Sequence, residues 1–331
     1  MRQSHLLRKI GNTWQIQRGY EEAFRAWEQA EAALNGGAAE RGESWWQAWI
    51  QIQLDWLWAH YFLNNAGEMA EIVDRTRPAV EQHGTLPQRG LFFQRLALMG
   101  FRRDRFVGTD ETLGHAQDFV EAIQAAGNLS ELAFARFVLG FAYLWHGWRG
   151  DLDEAEAELE SGLKLAERIG DVVIQTRCLA YLPMIYRKRG QVDDVRRILP
   201  RSLAMAETTE MGEYIATAEA HAAWLAWRDG QFAAAEEHGR AFLQLWQGMP
   251  IANAFSWPGL WPLIDIALTE DRLAEAIDHA QTLLRPQEQR KLPELETALQ
   301  DAIRAFESDQ PHVARTALEH AVALAKEMGY L

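Results

Sequence analysis

The chain is expected to fold as an all-α solenoid of about eight antiparallel helix pairs, and three observations lead there. A small residue recurs just after a tight polar turn, at Ala155, Val195, Ala235, Ala276 and Ala314, with spacings of 40, 40, 41 and 38 residues. Self-similarity at such a period marks an array of stacked supersecondary units. Each of these residues is preceded by an apolar helical segment and a short polar break, the order that helix–turn–helix units require. The alternating Val/Ile/Thr-rich runs that a sheet requires do not occur.

The units can be followed in order. Ile10-Gly11-Asn12-Thr13-Trp14 leads through Gly19-Tyr20-Glu21-Glu22-Ala23 to Trp27 and Ala30. Residues 43 to 83 form a longer, less regular unit, with a turn near Asn64-Asn65 and a second helix around Ala70 to Glu81. Residues 86 to 127 form another, with one helix through Leu91-Phe92-Phe93 to Arg105. Its second helix is started by Thr109-Asp110-Glu111 and runs to Ala126. Then Leu139-Gly140-Phe141-Ala142-Tyr143 precedes Gly150 to Ala155, and Leu182 to Tyr186 precedes Gly190 to Val195. Trp224 to Trp227 precedes Gly230 to Ala235, and Leu263 to Ala267 precedes Asp271 to Ala276. The turns centre near residues 19, 65, 107, 149, 190, 230, 271 and 309. Short breaks at Gly36-Gly37, Gly84, Gly127, Gly170, Gly248-Met249-Pro250 and Leu292-Pro293 separate the units without any low-complexity linker. One continuous domain over residues 1–331 is expected.

Close helix packing explains the pattern. Small residues in the first helix (Gly11, Gly140, Ala223) and in the second (Ala23, Ala155, Ala235) let two helices approach, while Trp14, Trp27, Tyr143, Leu159 and Tyr186 fill the space around them. Among the tryptophans of residues 45–58, Trp45, Trp49 and Trp56 share a helical face while Trp46 and Trp58 fall elsewhere. That distribution predicts a helix buried on more than one side rather than a ligand cage.

The recurring small-residue and turn signature resembles the tetratricopeptide repeat (TPR). The resemblance implies a right-handed α-α superhelix whose first helices line the concave surface. On that alignment Phe134, Phe137, Phe141 and Trp145 form one inward stripe, Arg177, Met184, Arg187 and Lys188 the next, and Trp224, Trp227 and Arg228 the one after. Basic and aromatic side chains in a groove suit a carboxylate-bearing peptide or an anionic small molecule. The bland alternative is that the aromatics are inter-repeat core and the cations solvated.

Composition narrows the function classes. The 331 residues carry a formal charge of −14, so free nucleic acid is a poor partner. The single cysteine, Cys178, excludes a disulfide framework and fits a reducing, cytoplasmic setting. No signal peptide or spanning segment is visible; the apolar run from Leu132 to Trp145 is short and interrupted by Arg136. There is no Gly-rich phosphate loop and no metal-ligand spacing among the ten histidines, so no cofactor, metal or catalytic residue is expected. The acidic pairs Asp193-Asp194 and Glu236-Glu237, and Glu156, Glu158 and Glu160, are expected on solvated outer faces.

Further tokens are Trp58-Ala59-His60-Tyr61, Arg102 to Phe106 with Thr109 to Thr112, Leu139-Gly140-Phe141, Asp151 to Glu156, and Ala323 to Tyr330. Together they resemble the carboxy-terminal TPR arms of bacterial AAA or STAND-type signalling ATPases, which often accompany nucleotide-cyclase or LuxR-type DNA-binding domains. The resemblance implies a non-enzymatic sensor or scaffold arm that binds a protein or peptide partner or a small-molecule inducer. The ATPase, cyclase and DNA-binding parts are missing from this sequence, so none of those activities carries over; an excised arm or a stand-alone relative would fit. Two alternatives remain: a self-associating homo-oligomeric scaffold, and an α/α-toroid-type enzyme, which would also be helical, acidic and Trp-rich.

Overall fold

In the computed structural model, which describes residues 1–35, 41–249 and 254–331, sixteen α-helices and no strand are found among the described residues. They pair as α1 (Arg2–Ile16) with α2 (Tyr20–Asn35), α3 (Glu43–Phe62) with α4 (Ala66–His83), α5 (Leu86–Arg103) with α6 (Asp110–Ala126), and α7 (Leu129–Leu144) with α8 (Leu152–Ile169). The second half pairs α9 (Val172–Lys188) with α10 (Val192–Thr208), α11 (Gly212–Arg228) with α12 (Phe232–Gln247), α13 (Trp257–Thr269) with α14 (Leu273–Leu283), and α15 (Pro293–Glu307) with α16 (Pro311–Glu327). All eight expected turn centres fall between the two helices of a pair. The breaks at Gly36-Gly37 and Pro250 lie outside the described residues.

The turns share a backbone requirement. Gly190 and Gly230 take φ of 71° and 72°, the left-handed conformation that glycine adopts without steric cost. Asn64, Asp271 and Asp309 hold the same turn position at 59°, 61° and 55°. Short polar side chains tolerate this region, and so the glycine signature fades in those units. Helix starts are set by side-chain caps. Thr85 and Gln88 form a reciprocal capping box at α5, Thr109 accepts from Thr112 N at α6, and Asp171 accepts from Ile174 N at α9.

First helices pack on one another in succession, α1 on α3, α3 on α5, α5 on α7, α7 on α9, α9 on α11 and α11 on α13. They form the inner layer, and the second helices cover it. The final pair departs from the regular repeat: α16, not α15, packs against α13, while α15 packs against α14. The cause lies in the α14–α15 connection, residues 284–292. Its Arg290 N donates to the Arg105 carbonyl (2.9 Å), and its Gln289 Nε2 donates to the Phe106 carbonyl (2.8 Å). This detour to the α5–α6 turn carries α15 away from α13, and α16 takes its place.

The tryptophan-rich α3 is covered by α1, α2, α4 and α5. Trp45 Nε1 donates to the Leu34 carbonyl at 3.2 Å and Trp49 Nε1 to the Glu31 carboxylate at 2.7 Å, so these rings hold α2 and α3 together. Several acidic side chains bridge neighbouring repeats, while Asp193, Asp194 and Glu160 pair within their own helices. Arg189 meets Asp153 and Glu156, both at 2.5 Å, Arg196 meets Asp229 at 3.0 Å, and Arg272 meets Glu236. Cys178 is buried, and burial pushes its thiol up to about 12. No described helix is long and apolar enough to cross a membrane.

Candidate functional site

The inner layer forms an open-sided aromatic chamber of two adjoining lobes, each about 110 Å³. Tyr61 and Phe62 at the end of α3, Tyr181 on α9, Tyr214 on α11 and Phe255 before α13 line both lobes. The first lobe adds Trp58, Phe101, Phe134, Phe137, Phe141 and Arg177. The second adds Arg102, Met184, Glu213, Thr217, Phe242 and Trp246. Helical spacing explains the α9 and α11 contributions: Arg177, Tyr181 and Met184, and Tyr214 and Thr217, each recur after three or four residues and so share one face.

The walls are held by ring contacts. Phe141 meets Phe101, Tyr181 and Phe255 edge-on at 5.0, 5.0 and 6.2 Å, and Phe137 packs on Tyr181 at 5.8 Å. Edge-to-face and offset contacts of this kind stabilise a rigid wall beyond simple burial. Tyr214 meets Tyr181 at 6.3 Å. Burial raises the pKa of both phenols, so at neutral pH each hydroxyl is an uncharged donor.

Three charged groups reach the chamber. The Arg177 guanidinium lies over Phe134 and Phe137 at 5.2 and 5.9 Å, and its buried Nε finds no hydrogen-bond partner among the described residues. Arg102 is tied down: its Nε donates to the Tyr61 carbonyl at 2.9 Å while the guanidinium covers the Tyr61 ring at 4.5 Å. Glu213, in the second lobe, faces Arg18 from the α1–α2 turn at 3.7 Å. No group of three His, Cys, Asp or Glu side chains suited to a metal ion occurs among the described residues.

Of the eleven inward residues read from the repeat alignment, Phe134, Phe137, Phe141 and Arg177 line the first lobe and Met184 the second. Trp145 is buried behind the wall, stacked on Phe255 at 4.9 Å. Arg187 lies between Trp224 and Trp257, at 5.2–5.3 Å from each ring, and donates to the carbonyls of Pro258 (2.7 Å) and Tyr330. It clamps the chain end to α9 and α13 rather than facing a ligand. Lys188 sits over Trp145 and Tyr330; burial, and then the Arg149 charge, bring its amine down to about 8. Trp224 is buried beneath Arg187, Trp227 donates to Asp265 at 2.8 Å, and Arg228 is exposed. The inward stripe of α11 thus serves the chamber only up to Ala220; beyond it, α13 and residues 328–331 cover the face.

Tyr61, Phe62, Tyr181, Tyr214 and Phe255 are not among those eleven. Tyr181 was within reach of sequence reasoning, one turn from Arg177 on the same face. Phe255 comes from a connection between helices and carries no periodic signal.

The fold and its interior chamber define an all-α, TPR-like solenoid. No protein-family model and no curated protein matches the chain. Solved structures do. A Rap protein complexed with competence and sporulation factor is similar at a TM-score of 0.69 and 13% identity, over 98% of this chain and 91% of that one. The apo form of RapI is similar at 0.59 and 12%, over 97% and 87%. A STAND protein with a tetratricopeptide repeat sensor from Pyrococcus horikoshii is similar at 0.57 and 14%; the match covers 95% of this chain and 44% of that protein. At such identities the likeness concerns the fold.

Proposed function

We propose that residues 1–331 form one non-enzymatic recognition module, the sensor or scaffold arm of a bacterial cytoplasmic signalling ATPase system. On this proposal a protein or peptide partner, or a small inducer, seats in the aromatic chamber. The observation that carries this function is the chamber itself: an apolar space walled by five consecutive first helices, with a small number of polar groups directed into it. Its charged residues are a receptor set rather than an acid–base pair: Glu213 faces Arg18 at 3.7 Å, and the other two are arginines, whose guanidinium groups donate hydrogen bonds and accept none. The similarity to a STAND protein with a TPR sensor and to a Rap protein in complex with a factor supports the signalling role.

Native mass spectrometry of the purified chain, followed by denaturing mass spectrometry of anything released, tests this. A bound species is expected, and its occupancy should fall at least tenfold in Thr217→Trp, whose indole fills the second lobe. Equal occupancy in both proteins would contradict the assignment to the chamber.

One observation favours a second reading. Leu6, Ile10 and Trp14 recur every four residues along α1 and are 62%, 48% and 41% exposed, an apolar stripe on the first helix of the stack. Such a stripe suits end-to-end association of copies.

A further inference from the structure

Arg177 is the feature that the chamber's architecture leaves unresolved. Its guanidinium lies over two phenylalanine rings, which attract its charge but offer its N–H groups no oxygen or nitrogen acceptor. No described carboxylate lies within ion-pair distance of it, although nearly every other arginine of the inner and outer layers between α7 and α12 is paired or bonded. Its Nε is buried without a partner, and an unmet buried donor on a charged group is costly. Tyr181, one turn from Arg177 on α9, and Tyr214 of α11 line the same lobe, and burial keeps both phenols uncharged.

We propose, on the footing that the chamber is the binding site named above, that its ligand carries a single carboxylate next to a bulky apolar group. The carboxylate seats on Arg177, and the apolar group lies between Tyr61, Phe62 and Phe255. Donors without an acceptor call for an anion, and the planar fork of a guanidinium matches a carboxylate in two parallel bonds. A dianionic phosphate is disfavoured: Arg177 is the one charged side chain lining the first lobe, and the protein carries −14 overall. The direction follows from which charges are already met: in the second lobe Arg102 is bonded to the Tyr61 carbonyl and Glu213 faces Arg18, whereas Arg177 in the first lobe meets no described carboxylate. Size limits the rest. Two lobes of about 110 Å³ each take side-chain-sized groups rather than a folded segment. A free arylalkyl carboxylic acid and the carboxy-terminal residue of an apolar peptide present the same chemistry.

Calorimetric titration of the full chain tests this with two pairs of probes: 3-phenylpropanoate against 3-phenylpropanamide, and Ala-Ala-Phe with a free against an amidated carboxy terminus. The acid of at least one pair should bind roughly 10- to 100-fold more tightly than its amide, the range for a charge-assisted hydrogen bond. Arg177→Gln should remove that preference while the circular dichroism melting curve is preserved. Preference for 3-phenylpropanoate identifies a free acid as the source, and preference confined to the peptide identifies a chain terminus. Equal binding of acid and amide would overturn the carboxylate inference and leave the chamber as the site. Absence of binding by all four probes would also overturn it, while a species found in the chamber by mass spectrometry would keep the broader function.

Discussion

Lowering the pH from 7 to 4 should remove roughly 3 kcal/mol of folding free energy through His221 alone. His221 is 1% exposed on α11, and neither ring nitrogen has a hydrogen-bond partner among the described residues. Burial, and then the positive charge of Arg187, pull its pKa down to about 3. In the unfolded chain the ring takes up a proton near pH 6.5, whereas in the folded protein it resists until about pH 3. The unfolded state therefore binds more protons across this window. The stabilisation is complete above pH 6.5 and is lost as the pH falls towards 3. Burial raises the carboxyl pKa of Asp55 and Glu288, which acts in the opposite direction, and lowers that of His60, His115 and His279, which acts in the same direction. Comparison with His221→Leu cancels them. Urea titrations at pH 7 and pH 4 should show the variant gaining roughly 3 kcal/mol on the wild type over that interval. A difference that stays flat with pH would contradict the buried neutral histidine.

The second large effect is expected from a single methyl group. A Cβ at Gly259, in the first turn of α13, would lie 2.2 Å from Phe242 Cδ1 and 2.6 Å from its Cε1. Phe242 is wholly buried on α12 and packs on Trp246 at 5.2 Å, so its ring gives way only by disturbing that contact or entering the second lobe. Replacing glycine in a helix by alanine ordinarily stabilises by up to about 1 kcal/mol. Overpacking a closed contact costs about 1–3 kcal/mol, and with a sub-van-der-Waals approach to a ring the clash wins. Gly259→Ala should therefore destabilise by about 1–2 kcal/mol. It should also disturb the chamber, because Phe242 lines the second lobe. Gly114→Ala is the matched control: its added Cβ meets nothing within 4 Å, and it should stabilise by about 0.5–1 kcal/mol. Thermal melts of the two variants should move in opposite directions; a stabilised Gly259→Ala would mean that α12 and α13 do not approach as described.

The repeat architecture was legible in the sequence because its determinants are local. The left-handed turn at Gly190 and the close approach of Gly140 to Leu159 are each decided within about twenty residues, and periodicity exposes them. The chamber was legible only where one helix face lines it, as with Phe137 and Phe141 on α7 and Arg177 and Met184 on α9. The same spacing pointed to Arg187 and Trp224, yet these are buried by elements far along the chain. Arg187 bonds to Tyr330, 143 residues away, and Arg105 to Glu288, 183 residues away. Periodicity reports which face a residue occupies, not what later folds over that face. For the same reason nothing in the repeat pattern anticipated that the 284–292 connection would reverse the placement of α15 and α16.

The most direct test of the chamber as the binding site is photocrosslinking inside cells. A benzophenone amino acid would be placed at Phe62, which lines both lobes, and in a separate protein at Leu6 on the exposed face of α1. Adducts of one defined partner or ligand from position 62, absent from position 6, are the predicted result. Adducts confined to position 6, and consisting of a second copy of the chain, would contradict the chamber as the functional site and establish the self-associating scaffold.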